Sequence, residues 1–168
     1  MNNIYLCGFM GAGKTTVAKR ISQILSVPYF DTDDLIVKQN NRTIPEIFEQ
    51  YGESRFRELE TEALRYTTTK NGAVVATGGG LVMNPQNVSL IKEQGLLFYL
   101  DVPFELCYQR IKGDKNRPNA YSKTRQQLQQ LFDVRKPIYR GASDYAVLCL
   151  NNAKSTAEEI IRLCPWNE

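Results

Sequence analysis

The sequence has 168 residues, of which 42% are apolar and 23% charged, which is enough for one domain with a buried core and excludes wholesale disorder. The net charge of +3 is too small to indicate a nucleic-acid partner, and no apolar run is long enough to predict a membrane span. Because the chain contains no histidine, triads, zinc sites and proton relays that depend on imidazole are excluded.

The four cysteines lie far apart, at Cys7, Cys107, Cys149 and Cys164, with no Cys-x-x-Cys pair. This spacing argues against zinc ligation and against a disulfide framework, so we expect reduced thiols and a cytoplasmic protein. The first residues carry no basic group ahead of their short apolar run, so they do not match a signal peptide.

Short apolar runs alternate with longer stretches of helical period along the chain. The runs predict buried strands at residues 4–7, 28–31, 73–77, 96–101 and 145–150. Strands that alternate with helices predict an α/β fold, a parallel sheet covered by helices on both faces, in one domain over residues 1–168. In such a sheet, ligands bind beyond the carboxyl ends of the strands.

Polar residues mark three helix starts and one long loop. Thr43 with Glu46, and Ser155 with Glu158, match the capping box, whereas Asn84 followed by Pro85 matches an N-cap before a first-turn proline. The polar segment GDKNRPNAYSKT (residues 113–124) is interpreted as a mobile loop and a candidate lid.

The first strand is followed by GFMGAGKTT (residues 8–16), which matches G-x-x-x-x-G-K-[ST] between a strand and a helix. Glycines let successive N–H groups surround a phosphate, and a helix beginning near Lys14 adds the positive end of its dipole. Lys14 is expected to reach the outer phosphates and the Thr15 hydroxyl to ligate Mg²⁺. The motif, called the P-loop below, predicts a nucleotide site.

Three carboxylates, Asp31, Asp33 and Asp34, follow the second strand in YFDTDD. Three interpretations are open: a metal site, a general base, or a solvated turn that caps the next helix. In an extended strand Asp31 and Asp33 would share one face, and Asp34 would lie beyond it and support the next helix start. The third strand lacks the acidic residue that often ends it in P-loop proteins, so a carboxylate for Mg²⁺ has to come from elsewhere.

A second glycine cluster, Gly78, Gly79 and Gly80, ends the third strand. It indicates either a tight turn or a main-chain surface that faces a substrate or the γ-phosphate.

Arg57, Arg117 and Arg135 are candidate anion-binding residues. Each alone would more often be a solvated surface charge, and Arg57 has Glu60 one helical turn later, so a plain surface ion pair is possible. Arginine is also the side chain suited to forked binding of a carboxylate. A γ-phosphate at one end of a site and two arginines at the other would suit an anionic acceptor that carries a hydroxyl.

The segments GFMGAGKTT, FDTDDLI, FRELE, TGGGLV, the Arg-Pro of the loop and RKPIYR, in this order and spacing, resemble shikimate kinase up to about Tyr139. The resemblance implies a three-layer P-loop kinase fold of the nucleoside-monophosphate-kinase type, with a five-stranded parallel sheet, a substrate-binding region near residues 32–62 and a lid near residues 112–124. It also implies ATP-dependent phosphorylation of the 3-hydroxyl of shikimate, in the chorismate route to aromatic amino acids. We further expect a monomer without nucleic-acid or membrane partners.

On the nucleotide side, the resemblance implies that Mg²⁺ is held by Thr15 and Asp31. Arg110 is the residue expected beside adenine, and Arg117 the lid arginine that closes over the phosphates. The residues implied to bind the ATP phosphates are Gly11, Ala12, Gly13, Lys14, Thr15 and Thr16.

On the acceptor side, Asp33 resembles the residue that binds the hydroxyls and acts as the base. Together with Asp33, Lys14 and Arg117 are expected to be the catalytic residues. Arg57 and Arg135 resemble the pair that grips the carboxylate, with Glu60 orienting Arg57. The glycine cluster is implied to bind substrate, with Gly79 against a ring hydroxyl.

The sequence departs from this family in two places. Asn119-Ala120 stands where the family usually has an apolar pair. The last strand lacks an acidic residue that is common in the family, and the contacts to adenine near residues 151–154 stay unassigned. The competing interpretations are another small-molecule P-loop kinase, acting on gluconate or a nucleoside monophosphate, and a non-catalytic regulator that binds shikimate or nucleotide.

Overall fold

The computed structural model describes residues 2–149 and 152–165. Within these ranges the strands form one parallel sheet in the order β2-β3-β1-β4-β5. They are β1 (Asn3–Cys7), β2 (Tyr29–Asp31), β3 (Val74–Ala76), β4 (Gly95–Asp101) and β5 (Tyr145–Leu148). All five predicted strands are confirmed, although the last was predicted to reach residue 150, which lies, with residue 151, outside the described residues.

Helices cover both faces of the sheet, as predicted for a three-layer fold. The connection from β1 to β2 runs in one direction along the sheet and the later ones run back, so right-handed crossovers place their helices on opposite faces. Accordingly α1 packs with α8, whereas α4 and α7 pack on β4. The helices are α1 (Lys14–Leu25), α2 (Thr32–Asn40), α3 (Ile44–Thr68), α4 (Pro85–Gln94), α5 (Phe104–Ile111), α6 (Pro118–Tyr121), α7 (Arg125–Ala142) and α8 (Ala153–Leu163).

Two hydrophobic clusters hold these layers together. The larger one is built on β1 and β4, whose side chains are buried on both faces. The smaller one, between α2 and α3, consists of Ile36, Ile47, Phe56, Leu59 and Ala63. It supports the part of α3 that carries Arg57 and Glu60, beyond an interruption of the helix at Gly52 (φ 80°, ψ 173°).

The capping predictions are confirmed at two of the three helix starts. Thr43 and Glu46 form the capping box of α3, and the Asn84 side chain accepts a hydrogen bond from the Gln86 N–H at the start of α4. The box predicted at Ser155 is wrong, because α8 begins at Ala153 and Asn152 is its N-cap. The Asn152 carboxamide already accepts from the Ser155 N–H at 3.0 Å, so the helix starts nearly one turn earlier.

Arg135 lies inside α7, which continues through Pro137 to Ala142. A proline inside a helix removes one hydrogen bond. The helix persists because Leu128, Phe132, Arg135 and Tyr139 bury one face of it. Among the described helices, none combines the length and apolar character that a membrane crossing requires.

Asn3 joins three separate segments at the amino end of the sheet. Its side chain is buried, and its Nδ2 donates to the carbonyls of Thr67 at 3.3 Å and Lys70 at 2.8 Å. Its Oδ1 accepts from the Ala73 N–H at 2.8 Å. One carboxamide therefore fixes the end of α3 and the start of β3 against β1.

We expect Asn3→Ala to lower the free energy of unfolding by about 2–3 kcal/mol, because it leaves buried backbone groups without partners. Urea denaturation would measure the loss. Asn2→Ala, at the exposed neighbouring position, should change it by less than about 0.5 kcal/mol. Equal, small effects at both positions would contradict this role for Asn3.

Candidate active site

One cavity of about 520 Å³ opens at the carboxyl ends of the strands. It is formed by the P-loop, the start of α2, the glycine cluster after β3, the middle of α3, the lid and α7. It brings together nearly all of the predicted site residues: Gly11, Gly13, Lys14, Thr15, Thr16, Asp31, Asp33, Arg57, Glu60, Gly78, Gly79, Gly80, Arg110, Arg117 and Arg135. The remaining one, Ala12, lines a smaller neighbouring cavity of about 190 Å³ together with Gly13, Thr16 and Arg110.

The P-loop has the backbone that an anion site needs. Gly11 and Gly13 have φ values of 77° and 86°, in the region that favours glycine. A Cβ on Gly11 would lie 2.7 Å from the Cys107 carbonyl oxygen, so the close approach of α5 also requires glycine there. No side chain caps the start of α1 at Lys14, which leaves first-turn N–H groups available to a phosphate.

The side chain of Lys14 is folded onto its own loop. Its Nζ donates to the carbonyls of Gly8 at 2.7 Å and Phe9 at 3.0 Å. Burial, and next the positive charge of Arg117, lower the pKa of Lys14 to about 8, although Asp33 opposes the shift. A bound phosphate would place an opposite charge beside this ammonium group and so favour its charged form.

Asp31 links the end of β2 to both α1 and α2. Its Oδ2 accepts from the Thr15 hydroxyl at 2.7 Å, and its Oδ1 accepts from the Asp33 N–H at 2.9 Å as the N-cap of α2. The prediction that Asp31 and Asp33 share one face of a strand is therefore wrong. The strand ends at Asp31, and Asp33 and Asp34 lie in the first turn of α2, where the helix dipole favours negative charge.

The donor set of Thr15 and Asp31 fits a Mg²⁺ ion that keeps most of its water. Both side chains present oxygen atoms to the cavity beside the P-loop. In residues 2–149 and 152–165, no cluster of three acidic, cysteine or histidine side chains could hold a metal by itself. Mg²⁺ in nucleotide sites takes few protein ligands and completes its shell with phosphate oxygens and water, which this pair permits.

Asp33 is the most perturbed carboxylate of the site. Its Oδ1 is buried and has no hydrogen-bond partner among the described residues. Burial, and then the charges of Asp31 and Glu60, raise the pKa of Asp33 to about 7, against the opposing charges of Lys14 and Arg117. Near neutral pH, Asp33 is therefore only partly ionised.

Glu60 lies between two arginines on the opposite side of the cavity. Its carboxylate is buried, and its Oε2 accepts from Arg57 Nη1 at 2.7 Å, which confirms the predicted contact. Glu53 accepts from the other terminal nitrogen of Arg57 at 3.0 Å. Burial raises the pKa of Glu60, whereas the charges of Arg57 and Arg135 lower it.

Arg135 has no such direct partner. Its side chain is 7% exposed, and no carboxylate of the described residues lies within 4.0 Å of its guanidinium, the limit of an ion pair. Glu60 acts on it only as a nearby charge. The end of the cavity next to α7 therefore contains a buried cation that, among the described residues, has no direct counter-ion.

In the glycine cluster, called the glycine loop below, an added Cβ would displace charged side chains at Gly78 and Gly80 but would make only ordinary contacts at Gly79. A Cβ on Gly78 would lie 2.7 Å from Asp33 Oδ1 and 2.8 Å from Glu60 Oε1. A Cβ on Gly80 would overlap the guanidinium of Arg57. Charged side chains of α2 and α3 therefore lie directly against this main chain.

The segment of residues 113–124, predicted to be a mobile loop and a candidate lid, contains the short helix α6. Arg117 lines the cavity just before α6, and its Nε donates to Asp114 Oδ2 at 3.0 Å. Pro118 and Asn119 also line the cavity, whereas Ala120 is buried away from solvent. Arg110, on α5, donates to the Gly11 carbonyl at 2.8 Å and so lies beside the P-loop.

Sequence reasoning missed the apolar wall of the cavity and the hydroxyls behind the glycine loop. The wall is formed by Met10, Val37, Ile44, Pro45, Phe48 and Phe56. The hydroxyls are those of Thr32, which accepts from the Gly78 N–H, and Tyr139, which donates to the Gly79 carbonyl. The apolar residues carry the same periodic signal as core residues, so only the fold separates the two.

A protein-family model described as Shikimate kinase matches residues 10–165 of this chain. The chain belongs to the shikimate kinase family. It is 37% identical over 164 residues to a shikimate kinase of Caldicellulosiruptor bescii, which covers 97% of this chain and 95% of that relative. A solved structure of shikimate kinase from Acinetobacter baumannii in complex with shikimate is 39% identical, with a TM-score of 0.93 over 97% of this chain and 92% of that one.

A more distant neighbour shows the fold alone. The APS kinase of Mycobacterium tuberculosis is 14% identical, with a TM-score of 0.61 over 96% of this chain and 95% of that one. The predicted P-loop kinase fold and the resemblance to shikimate kinase are both confirmed. The protein is an enzyme of the family that phosphorylates shikimate with ATP, and neither the gluconate or nucleoside-monophosphate kinase nor the non-catalytic regulator is favoured.

We expect Asp33→Asn to stabilise the ligand-free protein above neutral pH. The folded-state pKa of about 7 exceeds the ordinary value of 3.8, so the native state holds this proton more tightly and loses stability as pH rises between the two values. The advantage of the variant should therefore grow by about 1–3 kcal/mol between about pH 4 and pH 8.

Urea denaturation at several pH values, with EDTA present, would measure this advantage. The exposed Asp133→Asn on α7 is the matched control, because it makes the same substitution outside the cavity. If Asp33→Asn were no more stable than the wild type near pH 8, the ionised Asp33 side chain would not destabilise the folded protein, which would contradict the prediction.

Proposed function

We propose that shikimate lies at the arginine end of the cavity and MgATP at the P-loop end, and that the γ-phosphoryl group passes directly to the 3-hydroxyl. The observation that carries this orientation is the buried Arg135 guanidinium, which has no carboxylate within ion-pair distance among the described residues. A buried charge without a partner is costly, so this end of the cavity favours an anionic ligand.

At the acceptor end, we propose that Arg57 and Arg135 bind the carboxylate of shikimate. Arg57 is already oriented by Glu60 at 2.7 Å and Glu53 at 3.0 Å. Holding the planar guanidinium in place reduces the entropy lost on binding. The glycine loop, which has no side chains, allows the ring hydroxyls to approach the main chain at Gly79.

Asp33 is the proposed acceptor of the proton from the 3-hydroxyl. The unpartnered Oδ1 supplies a hydrogen-bond acceptor that the hydroxyl would satisfy. A base is most effective when its pKa lies near the working pH, and the pKa of Asp33 is about 7 in the ligand-free protein.

At the nucleotide end, the P-loop N–H groups and Lys14 would bind the phosphates, with Thr15 and Asp31 as the protein ligands of Mg²⁺. When bound, Mg²⁺ would neutralise part of the charge on the phosphate oxygens. Arg110 lines both the main cavity and the smaller one near Ala153. We propose that adenine occupies the smaller cavity.

In the transfer step, the 3-oxygen forms a bond to the γ-phosphorus while the bond from that phosphorus to the bridging oxygen of ADP breaks. The hydroxyl proton passes to Asp33. Because such transition states are loose, the residues contribute mainly by positioning and by charge. Lys14 and Arg117, whose charges already influence each other across the cavity, would stabilise the charge on the transferred group. A single domain over residues 1–168, a monomeric state and a cytoplasmic location stay predictions.

The experiment that tests the carboxylate grip compares Arg135→Lys and Arg57→Lys in steady-state kinetics. Each substitution keeps the charge but removes the forked geometry, so the KM for shikimate should rise about 10- to 100-fold. The KM for MgATP should stay within about 2-fold, because the P-loop is untouched.

Arg55→Lys is the matched control for both variants. Arg55 lies on α3 two residues before Arg57 and forms surface ion pairs with Glu58 and Glu62. It should leave both KM values unchanged. Variants of the grip that alter the KM for MgATP and not that for shikimate would show that the acceptor does not lie at this end.

A further inference from the structure

The glycine loop has to be held by groups outside it, because Gly78, Gly79 and Gly80 have no side chains. The Gly78 N–H donates to the Thr32 hydroxyl at 2.9 Å, and the Gly78 carbonyl accepts from the Leu81 N–H at 3.2 Å. The Gly79 carbonyl accepts from the Tyr139 hydroxyl at 2.5 Å. Each peptide of the loop is therefore fixed by a different partner.

The Gly79–Gly80 peptide depends on Tyr139 alone. In a trans peptide the C=O and N–H bonds point in opposite directions, so a bond that holds the Gly79 carbonyl also sets the direction of the Gly80 N–H. Without that bond, two adjacent glycines would let this peptide rotate at little cost. Within residues 2–149 and 152–165, the N–H groups of Gly79 and Gly80 donate to no protein acceptor, and both residues line the cavity.

Tyr139 is itself rigidly placed. Its side chain is 1% exposed, and its ring stacks on that of Tyr99 with 5.4 Å between centroids and 22° between planes. It lies one turn after Arg135 on α7, so the two side chains reach the same loop. A Cβ on Gly79 would be 3.6 Å from Arg135 Nη1, in ordinary contact.

We infer that Tyr139 is a positioning residue for the acceptor, because its hydroxyl holds the Gly79–Gly80 peptide so that the Gly80 N–H stays available to bind shikimate. The inference rests on the proposed function, in which the acceptor lies against the glycine loop. Burial raises the pKa of Tyr139, so the hydroxyl keeps its proton and remains a donor to the carbonyl throughout the physiological range.

The first test is Tyr139→Phe, which removes one oxygen and keeps the stacked ring. Loss of the bond should raise the KM for shikimate about 3- to 10-fold, as expected for one neutral hydrogen bond. The KM for MgATP and kcat should stay within about 2-fold, because neither the P-loop nor Asp33 is disturbed.

Tyr99→Phe is the matched control. Tyr99 is the other ring of the stack, equally buried, and its hydroxyl donates to Asp101 at 3.2 Å and not to the glycine loop. It removes a buried hydroxyl of the same kind and should leave the KM for shikimate unchanged. An unchanged KM in Tyr139→Phe, or equal increases in both variants, would overturn the inference.

The second test uses the wild-type protein, so it does not depend on how well a variant folds. In ¹⁵N relaxation, the Gly80 amide should have an order parameter similar to those of the residues in β3. Its chemical shift should change when shikimate is added. A mobile Gly80 amide, or one insensitive to shikimate, would overturn the inference. Failure of the wild type to phosphorylate shikimate would overturn the proposed function itself, and the inference with it.

Discussion

Charge buried at the carboxyl edge of the sheet has to be balanced by other charge held close to it, and this constraint governs the whole site. Asp33 and Glu60 face Lys14, Arg57 and Arg135 in one cavity. The balance between these charges is incomplete. Burial raises the pKa of Asp33 to about 7 and lowers that of Lys14 to about 8, so the neighbouring opposite charges do not fully offset the cost of burying either group.

The reaction that the family catalyses would supply those partners. Phosphate oxygens would meet Lys14, the carboxylate of the acceptor would meet Arg135, and its hydroxyl would meet Asp33. Binding energy and selectivity then come from the same source, because an acceptor without a carboxylate would leave Arg135 unpaired. Buried charge that is not fully balanced lowers the free energy of unfolding, which is a common cost of catalytic groups.

The topology brings these groups to one place from distant parts of the chain. The P-loop follows β1 in the centre of the sheet, while Asp33 and the glycine loop follow β2 and β3 on one side of it. Arg135 comes from α7, which packs against β4 on the other side. Since the chain changes direction at β1, the crevice forms there, as in other open parallel sheets.

The sequence predicted what depends on local chemistry. The P-loop glycines, the order of strands and helices, and the contact between Arg57 and Glu60 all follow from short-range patterns. The predictions from sequence were wrong at two helix starts. Asp31 caps a helix that begins directly after β2, so Asp33 is helical and not extended. Asn152, and not Ser155, is the N-cap of α8. The raised pKa of Asp33 and the bond from Tyr139 to Gly79 depend on packing between segments far apart in the chain, which no local pattern encodes.

The most direct test of the account is ADP release from MgATP when shikimate is added, beside gluconate and AMP at equal concentrations, by the wild type and by Asp33→Asn. The account predicts turnover by the wild type with shikimate alone, and a loss of kcat of at least about 100-fold in Asp33→Asn with ATP affinity unchanged. Turnover with gluconate or AMP, or equal losses of kcat and ATP affinity in the variant, would contradict it.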